Sequence, residues 1–388
     1  MHRPLHCLCL ATGLALGVLL VAGAGCEDTT GASPTTADTR PPSEPIFDVR
    51  SVTLDARNRP DSSLLVRLRD LGVTHLTLVA FGWQKAPDVP AVRADTGDGW
   101  YSESHRGIRT LARQADTLGM GVILKPHLWV GGYDEAQDRS DIGFDTEADW
   151  AAWEADYRRF LMLYARLAAE VEADALVLGT ELTRSATERP DFWRGLADSA
   201  RSVYDGKLTY AANWHEAYEQ IQFWTALDYV GVQAYFPLTE AEDPSLATLR
   251  EGWRAHHAAL ADVHERTGRP VLLTEIGYRS AVGAAAAPWE WPERDDGAAP
   301  DSALQARCYQ AFLSTVGRAS WLKGGVIWKW HPPGEVERPT AFTPQAKPAE
   351  EVLRRWFTGA AADSGRSSAA AVRPSSHTID MSPSPDGL

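Results

Sequence analysis

Two glutamates and the runs that carry them set the chemistry this chain suggests. Glu181 lies near the end of D-A-L-V-L-G-T-E-L (174–182), and Glu275 lies within V-L-L-T-E-I-G-Y (271–278). Each follows a Thr and each closes a short apolar run of strand character. Side chains alternate along a strand. The pattern therefore predicts one shared direction for Val177, Gly179 and Glu181, and another for Val271, Leu273 and Glu275. Two carboxyl groups at the exits of buried strands suit acetal hydrolysis. One protonates the leaving oxygen while the other traps or stabilises the oxocarbenium-like centre. A gap of ~5–5.5 Å makes the second a nucleophile with retention, and ~6.5–9.5 Å leaves room for a water and gives inversion. Either glutamate alone reads equally well as a solvated strand-end charge; the two together do not.

The aromatic residues point the same way. Trp, at 15, outnumbers both Tyr (11) and Phe (10), and Trp83, Trp129, Trp214, Trp328 and Trp330 all fall at the ends of predicted strands. Flat rings stack on the apolar faces of sugars, and indole adds one N–H donor. Trp150, Trp153, Trp193, Trp253 and Trp356 fall in helical stretches and are expected to pack. Trp289 and Trp291, in a long loop after Glu275, either extend a groove or pin the loop. His127 in K-P-H-L-W, Asn213 in A-A-N-W and Tyr235 in Q-A-Y-F are polar residues at matching strand ends, each suited to a sugar hydroxyl. Tyr235 is also placed to hydrogen-bond a neighbouring nucleophile and hold it ionised. No metal or cofactor is expected. The first strand lacks H-x-H, H-E-x-x-H and G-x-S-x-G are absent, and the adjacent His256 and His257 point apart on a predicted helix.

The elements that must position these residues alternate. Strands are predicted at 47–54, 75–81, 122–130, 174–182, 208–214, 229–236, 271–278 and 325–330. Helices are predicted between and after them at 61–71, 105–118, 147–171, 191–204, 216–224, 245–266, 302–319 and 349–357. Eight β-then-α units predict a single (β/α)8 TIM barrel of the α/β class. Helix-to-strand turns are tight, as at Leu71-Gly72-Val73, whereas the strand-to-helix loops 82–104, 131–146 and 280–301 are long. That asymmetry places a working site at the C-terminal ends of the strands. No G-x-G-x-x-G follows an early strand, as a doubly wound nucleotide-binding sheet would show.

Composition bounds the partners and the location. Of 388 residues, 44% are apolar and 23% charged, and the net charge of −14 argues against nucleic acid and favours a neutral polymer. Residues 1–26 read as an export signal, with an apolar run and small residues before Cys26, the expected lipidation site. A membrane-anchored lipoprotein, exported to the cell surface or facing the periplasm, is the resulting expectation. Residues 27–44 read as a disordered tether, 45–358 as the barrel and 359–388 as a disordered tail. Once the signal leaves, Cys308 is alone and expected to be a buried bystander. The chain is expected to be a monomer, in contact with the membrane only through its anchor.

With these residues placed, the chain resembles the clan A glycoside hydrolases, and most closely glycoside hydrolase family 113. The resemblance runs from about Phe47 to Phe357 and rests on L-V-L-G-T-E-L, L-T-Y-A-A-N-W, Y-V-G-V-Q-A-Y-F-P-L, V-L-L-T-E-I-G-Y and G-V-I-W-K-W together. It implies a retaining barrel enzyme acting on β-1,4-mannan or manno-oligosaccharides. It further implies Glu181 as acid/base, Glu275 as nucleophile and Trp328 or Trp330 as the platform under the cleaved sugar. Much of the clan has Asn before the acid/base where this chain has Thr180. The sugar 2-hydroxyl then falls to another residue, such as Asn213, or is handled differently. Two other functions fit the same groove: an exo-acting β-glycosidase or transglycosylase on another neutral β-glycan, and a surface lipoprotein that binds glycans without cleaving them.

Overall fold

Runs rich in Val, Leu and Ile form the strands, because a parallel strand in a barrel is covered on both faces. The computed structural model describes residues 42–94, 99–131, 138–215, 217–290, 297–335 and 338–359. The expected signal with Cys26, most of the tether, Trp291 and the tail from 360 lie outside the described residues. The strands are β1 (Val49–Leu54), β2 (His75–Gln84), β3 (Val92–Ala94), β4 (Gly121–Val130), β5 (Ala175–Thr180), β6 (Lys207–Ala211), β7 (Val230–Gln233), β8 (Val271–Ile276) and β9 (Leu322–Trp330). Eight of them are neighbours in the order β6-β5-β4-β2-β1-β9-β8-β7, all parallel. The ring shuts where Ala212 bridges Val232: Ala212 N donates to Gly231 O (3.0 Å) and Gln233 N donates to Ala212 O (2.8 Å). This nearly closed barrel is the predicted fold.

Helices α1 (Ser63–Asp70), α2 (His105–Thr117), α3 (Glu147–Glu170), α4 (Thr183–Glu188), α5 (Pro190–Arg201), α6 (Ala217–Gln220), α7 (Leu246–Thr267), α8 (Ser302–Thr315) and α9 (Pro348–Thr358) surround it. Their starts carry side-chain caps of the usual kind: Thr146 accepts from Asp149 N, Ser245 from Thr248 N and Asp301 from Leu304 N. Gly268, at φ +66°, ends α7 in the left-handed conformation that glycine adopts freely. Two elements differ from expectation. Residues 92–94 add a short antiparallel strand to the long end of β2, inside what reads as a loop, and α4 follows directly after Glu181.

Two apolar layers result. Val49, Ile123, Ala175, Val177, Ala211, Leu272 and Val326 fill the barrel, while a larger layer packs strands against helices. The helical tryptophans lie in that outer layer, as expected, with Trp153, Trp193, Trp253 and Trp356 fully buried. Packing there is close enough to dictate Gly179, where an added Cβ would meet the Trp193 ring at 2.6 Å. Cys308 is buried among them, and burial pushes its thiol up, away from reactivity.

Candidate active site

Strand alternation does not hold to the ends of the two glutamate-bearing strands. Leu272 belongs to the barrel interior and Val271 and Leu273 to the outer layer, so alternation would aim Glu275 outward. Instead the pairing register shifts between Leu273 and Ile276 and between Val232 and Gln233. These irregularities turn Glu275 inward. The expected shared direction of Val271, Leu273 and Glu275 is therefore wrong. Likewise Val177 faces the interior while Gly179 faces Trp193, and the register shifts between Val177 and Thr180. Glu181 then takes φ +55°, a left-handed backbone unusual for a residue with a Cβ. Bulged strand ends that re-aim side chains are common beside functional sites.

Glu275 is 4% exposed and both of its oxygens accept hydrogen bonds. Lys125 Nζ donates to Oε1 at 2.5 Å and the Tyr235 hydroxyl to Oε2 at 2.6 Å. Lys125 comes from the middle of β4, fully buried. An ammonium there is tolerable only if its donors are all used. They are: the other two go to Gln233 Oε1 (2.8 Å) and Thr274 O (3.1 Å). Burial pushes the Lys125 ammonium down, and the Glu275 and Glu181 charges oppose that shift. Burial and the Glu275 charge hold the Tyr235 phenol well above its ordinary value, so it remains a donor.

Glu181 sits in a different setting, with its side chain 17% exposed and Arg139 Nε 3.1 Å from Oε2. Arg139 is held by a reciprocal cap, in which Asp138 accepts from Ser140 N and Asp141 accepts from Asp138 N. The same guanidinium reaches His127 Nδ1 at 3.4 Å, and His127 Nε2 lies 3.9 Å from Glu275 Oε1. Burial, then the Lys125 and Arg139 charges, keep His127 well below its usual range and therefore neutral. Its Nε2 has no hydrogen-bond partner among the described residues. The two glutamates are thus linked through two side chains, Arg139 and His127. Burial raises the Glu181 carboxyl; Arg139 opposes the rise, and the Glu275 charge reinforces it.

The remaining expected site residues fall at several depths. Trp83 and Trp129 are register partners on β2 and β4, 46% and 48% exposed. Trp328 is half-buried, its ring parallel to His127 at 6.5 Å between centroids. Trp330 is 5% exposed and belongs to the outer packing layer, so of the two platform candidates only Trp328 presents a ring at the mouth. Trp214 stacks on Trp289 at 5.0 Å. Asn213 is buried beside the barrel seam, as is Thr180 at the end of β5, whose Oγ1 is unpartnered among the described residues. Sequence reasoning missed Lys125, Gln233 and Arg139. A lysine inside the apolar run V-I-L-K-P-H-L-W was the available signal.

A family model described as Glycoside Hydrolase Family 113 matches residues 55–357. Among solved structures, a family 113 β-mannanase from Alicyclobacillus acidocaldarius, in complex with ManMIm, is similar at 26% identity and a TM-score of 0.68, over 80% of this chain and 97% of that one. A second family 113 β-1,4-mannanase is similar at 22% identity and 0.67, over 81% and 99%. A fungal β-1,4-galactanase shares the fold at 16% identity and 0.51, over 80% and 99%. No curated protein matches the chain in sequence. Matched through nearly all of its barrel, the chain belongs to glycoside hydrolase family 113 and is an O-glycoside hydrolase.

Proposed function

We propose that the chain hydrolyses β-1,4-linked mannan or manno-oligosaccharides with retention of configuration. The observation that carries this reading is the unlike environment of two carboxyl groups joined through Arg139 and His127. One is buried against an ammonium and a phenol; the other is raised by its surroundings. Glu275 attacks the anomeric carbon, forming a C–O bond, while the Glu181 proton passes to the departing glycosidic oxygen. Glu181, now a carboxylate, takes a proton from water as that water attacks the same carbon and frees Glu275. The Glu275 charge that raises Glu181 is consumed in the covalent intermediate, which suits the switch from acid to base. Trp328 serves as the platform beneath the cleaved sugar. The exposed Trp83 and Trp129 and the Trp214–Trp289 stack supply further rings beyond Trp328, which favours attack within a chain. His127, Asn213 and Tyr235 meet its hydroxyls.

Product analysis on mannan, glucomannan and cello-oligosaccharides tests the substrate, and NMR of the first-formed anomer tests the stereochemistry. Internal cleavage of mannan giving the β-anomer first is the expected result; α-anomer first, or cleavage of cello-oligosaccharides alone, rejects the proposal. Arg139 gives a second check. Its charge opposes the rise of the Glu181 carboxyl, so Arg139→Met should let Glu181 keep its proton to higher pH. The alkaline limb of kcat/KM then moves upward, and a limb that stays in place or moves down rejects Glu181 as the acid.

Export as a lipoprotein anchored through Cys26, with the barrel working as a monomer beyond its tether, completes the proposal. Cys26→Ser should abolish incorporation of labelled fatty acid and release the enzyme from membranes. Unchanged labelling would place the anchor elsewhere.

A further inference from the structure

One surface cavity beside Trp100 is lined, among the described residues, by three arginines and no carboxylate, in a chain whose net charge is −14. It measures about 340 Å³ and is lined by Arg57, Asn58, Arg59, Tyr101, Ser104 and Arg106, among others. A larger cavity of about 450 Å³ lies against the start of β4, at the opposite end of the barrel from the glutamates. There Arg109 is paired with Glu170 at 2.7 Å, and Asp116, Glu172 and Asp174 also line the cavity, so carboxylates outnumber the cations. The arginine cavity differs. Neither Arg59 nor Arg106 is ion-paired among the described residues, while Arg184, Arg189, Arg194, Arg201 and Arg266 all are.

The walls are fixed by bonds that leave the Arg59 and Arg106 guanidinium groups unused. Glu335, from the loop after β9, accepts from Arg57 N (2.8 Å) and Asn58 N (3.2 Å). Across the cavity, Tyr101 N donates to Arg57 O (3.0 Å), Ser102 N to Ala56 O (3.0 Å), and Ala56 N to Ser102 Oγ (2.9 Å). The two segments are therefore stitched together, and the arginine heads project from a preformed frame.

Its connection to the cleft is aromatic. The Arg57 guanidinium lies over Trp100, 4.8 Å from the ring centroid, yet Trp100 remains 37% exposed. Lys329 Nζ lies over that ring at 6.0 Å and over Trp328 at 5.1 Å. One lysine thus spans from the Trp328 end of the cleft to the edge of the arginine cavity.

From this juxtaposition we infer that the cavity holds a carboxylate-bearing sugar, a uronosyl branch carried on the neutral backbone cleaved at Glu181 and Glu275. Guanidinium forks match a planar carboxylate in two-point contacts, and the exposed indole supplies the flat face a pyranose ring stacks on. The strongly negative surface elsewhere repels a continuous polyanion. A single acidic branch on a neutral chain meets the local arginines, while the Glu335 carboxylate is engaged by the Arg57 and Asn58 amides. The inference deepens the proposed substrate and rests on that reading.

The test compares wild type with Arg59→Gln/Arg106→Gln on an unbranched manno-oligosaccharide and on one of equal length bearing a glucuronosyl branch. The variant is expected to lose about tenfold in kcat/KM on the branched substrate alone, with the gap narrowing in about 0.5 M salt. Equal loss on both substrates, or none on either, overturns the inference. A second arm needs no turnover: saturation-transfer NMR with the inactive Glu275→Gln protein and methyl glucuronide. Transfer to methyl glucuronide that disappears on adding the two arginine replacements supports the site. Equal transfer to methyl glucoside, or displacement by inorganic phosphate at equal concentration, overturns it. Should no mannan be cleaved at all, the proposed function fails while this second arm still reports on the cavity.

Discussion

Glu275→Ala is expected to lower kcat on unactivated manno-oligosaccharides by about 10⁴-fold or more, the scale of loss when a covalent nucleophile is removed. Azide should restore part of the activity on an aryl glycoside with a good leaving group. The small anion enters the space vacated by the carboxylate, forms a C–N bond at the anomeric carbon and expels the aryl oxide, giving a glycosyl azide of inverted configuration. The truncation also strands Lys125, whose remaining acceptors are Gln233 Oε1 and Thr274 O. Breaking a buried pair from one side costs ~3–5 kcal/mol, so the Ala protein should also melt earlier. Glu275→Gln keeps a carbonyl oxygen for Lys125 and separates the effects, being inactive but close to wild type in stability. A folded Glu275→Ala protein that turns over normally, or one that azide leaves unchanged, removes Glu275 from the reaction.

Lys125→Met is expected to reduce kcat by about 10²-fold, the size of effect seen when a group that orients a reacting residue is lost. Lys125 makes no contact that a substrate would need; it acts through Glu275. Without its ammonium, the carboxylate keeps, among the described residues, the Tyr235 hydroxyl and the distant His127. The loss should fall on kcat with KM changed by no more than about twofold, a split that a merely structural lysine would not produce. Methionine fills a similar volume without a charge, so stability should change less than in the Glu275→Ala protein. A kcat within about twofold of wild type would show that Glu275 does not need this partner.

Strand placement and helix order are legible in this sequence because core strands must be apolar and tight turns must carry glycine. The position of Glu181 and Glu275 at the mouth is legible for a less direct reason. Alternation predicts the right end of each strand, but the chain reaches it through register shifts, which leave no mark in residue pattern alone. Trp328 and Trp330 illustrate a related limit. They are two residues apart, and only the packing of the completed barrel buries one and half-exposes the other. Arg139 was out of reach because its role depends on a contact with Glu181 made only in the folded chain. No local spacing encodes that contact. Lys125 was visible as an oddity in an apolar run, though its three acceptors come from β7 and β8, more than 100 residues away along the chain.

The left-handed backbone at Glu181 has a bearing on how such a site endures. A residue with a Cβ held at positive φ costs about 1 kcal/mol relative to glycine there. Glycine at this position would relax the chain and also remove a carboxyl group that its surroundings disfavour in charged form. A screen that rewarded only resistance to heat would therefore discard Glu181 early and keep a sturdier, silent barrel. Its presence is the mark of selection for turnover rather than for endurance.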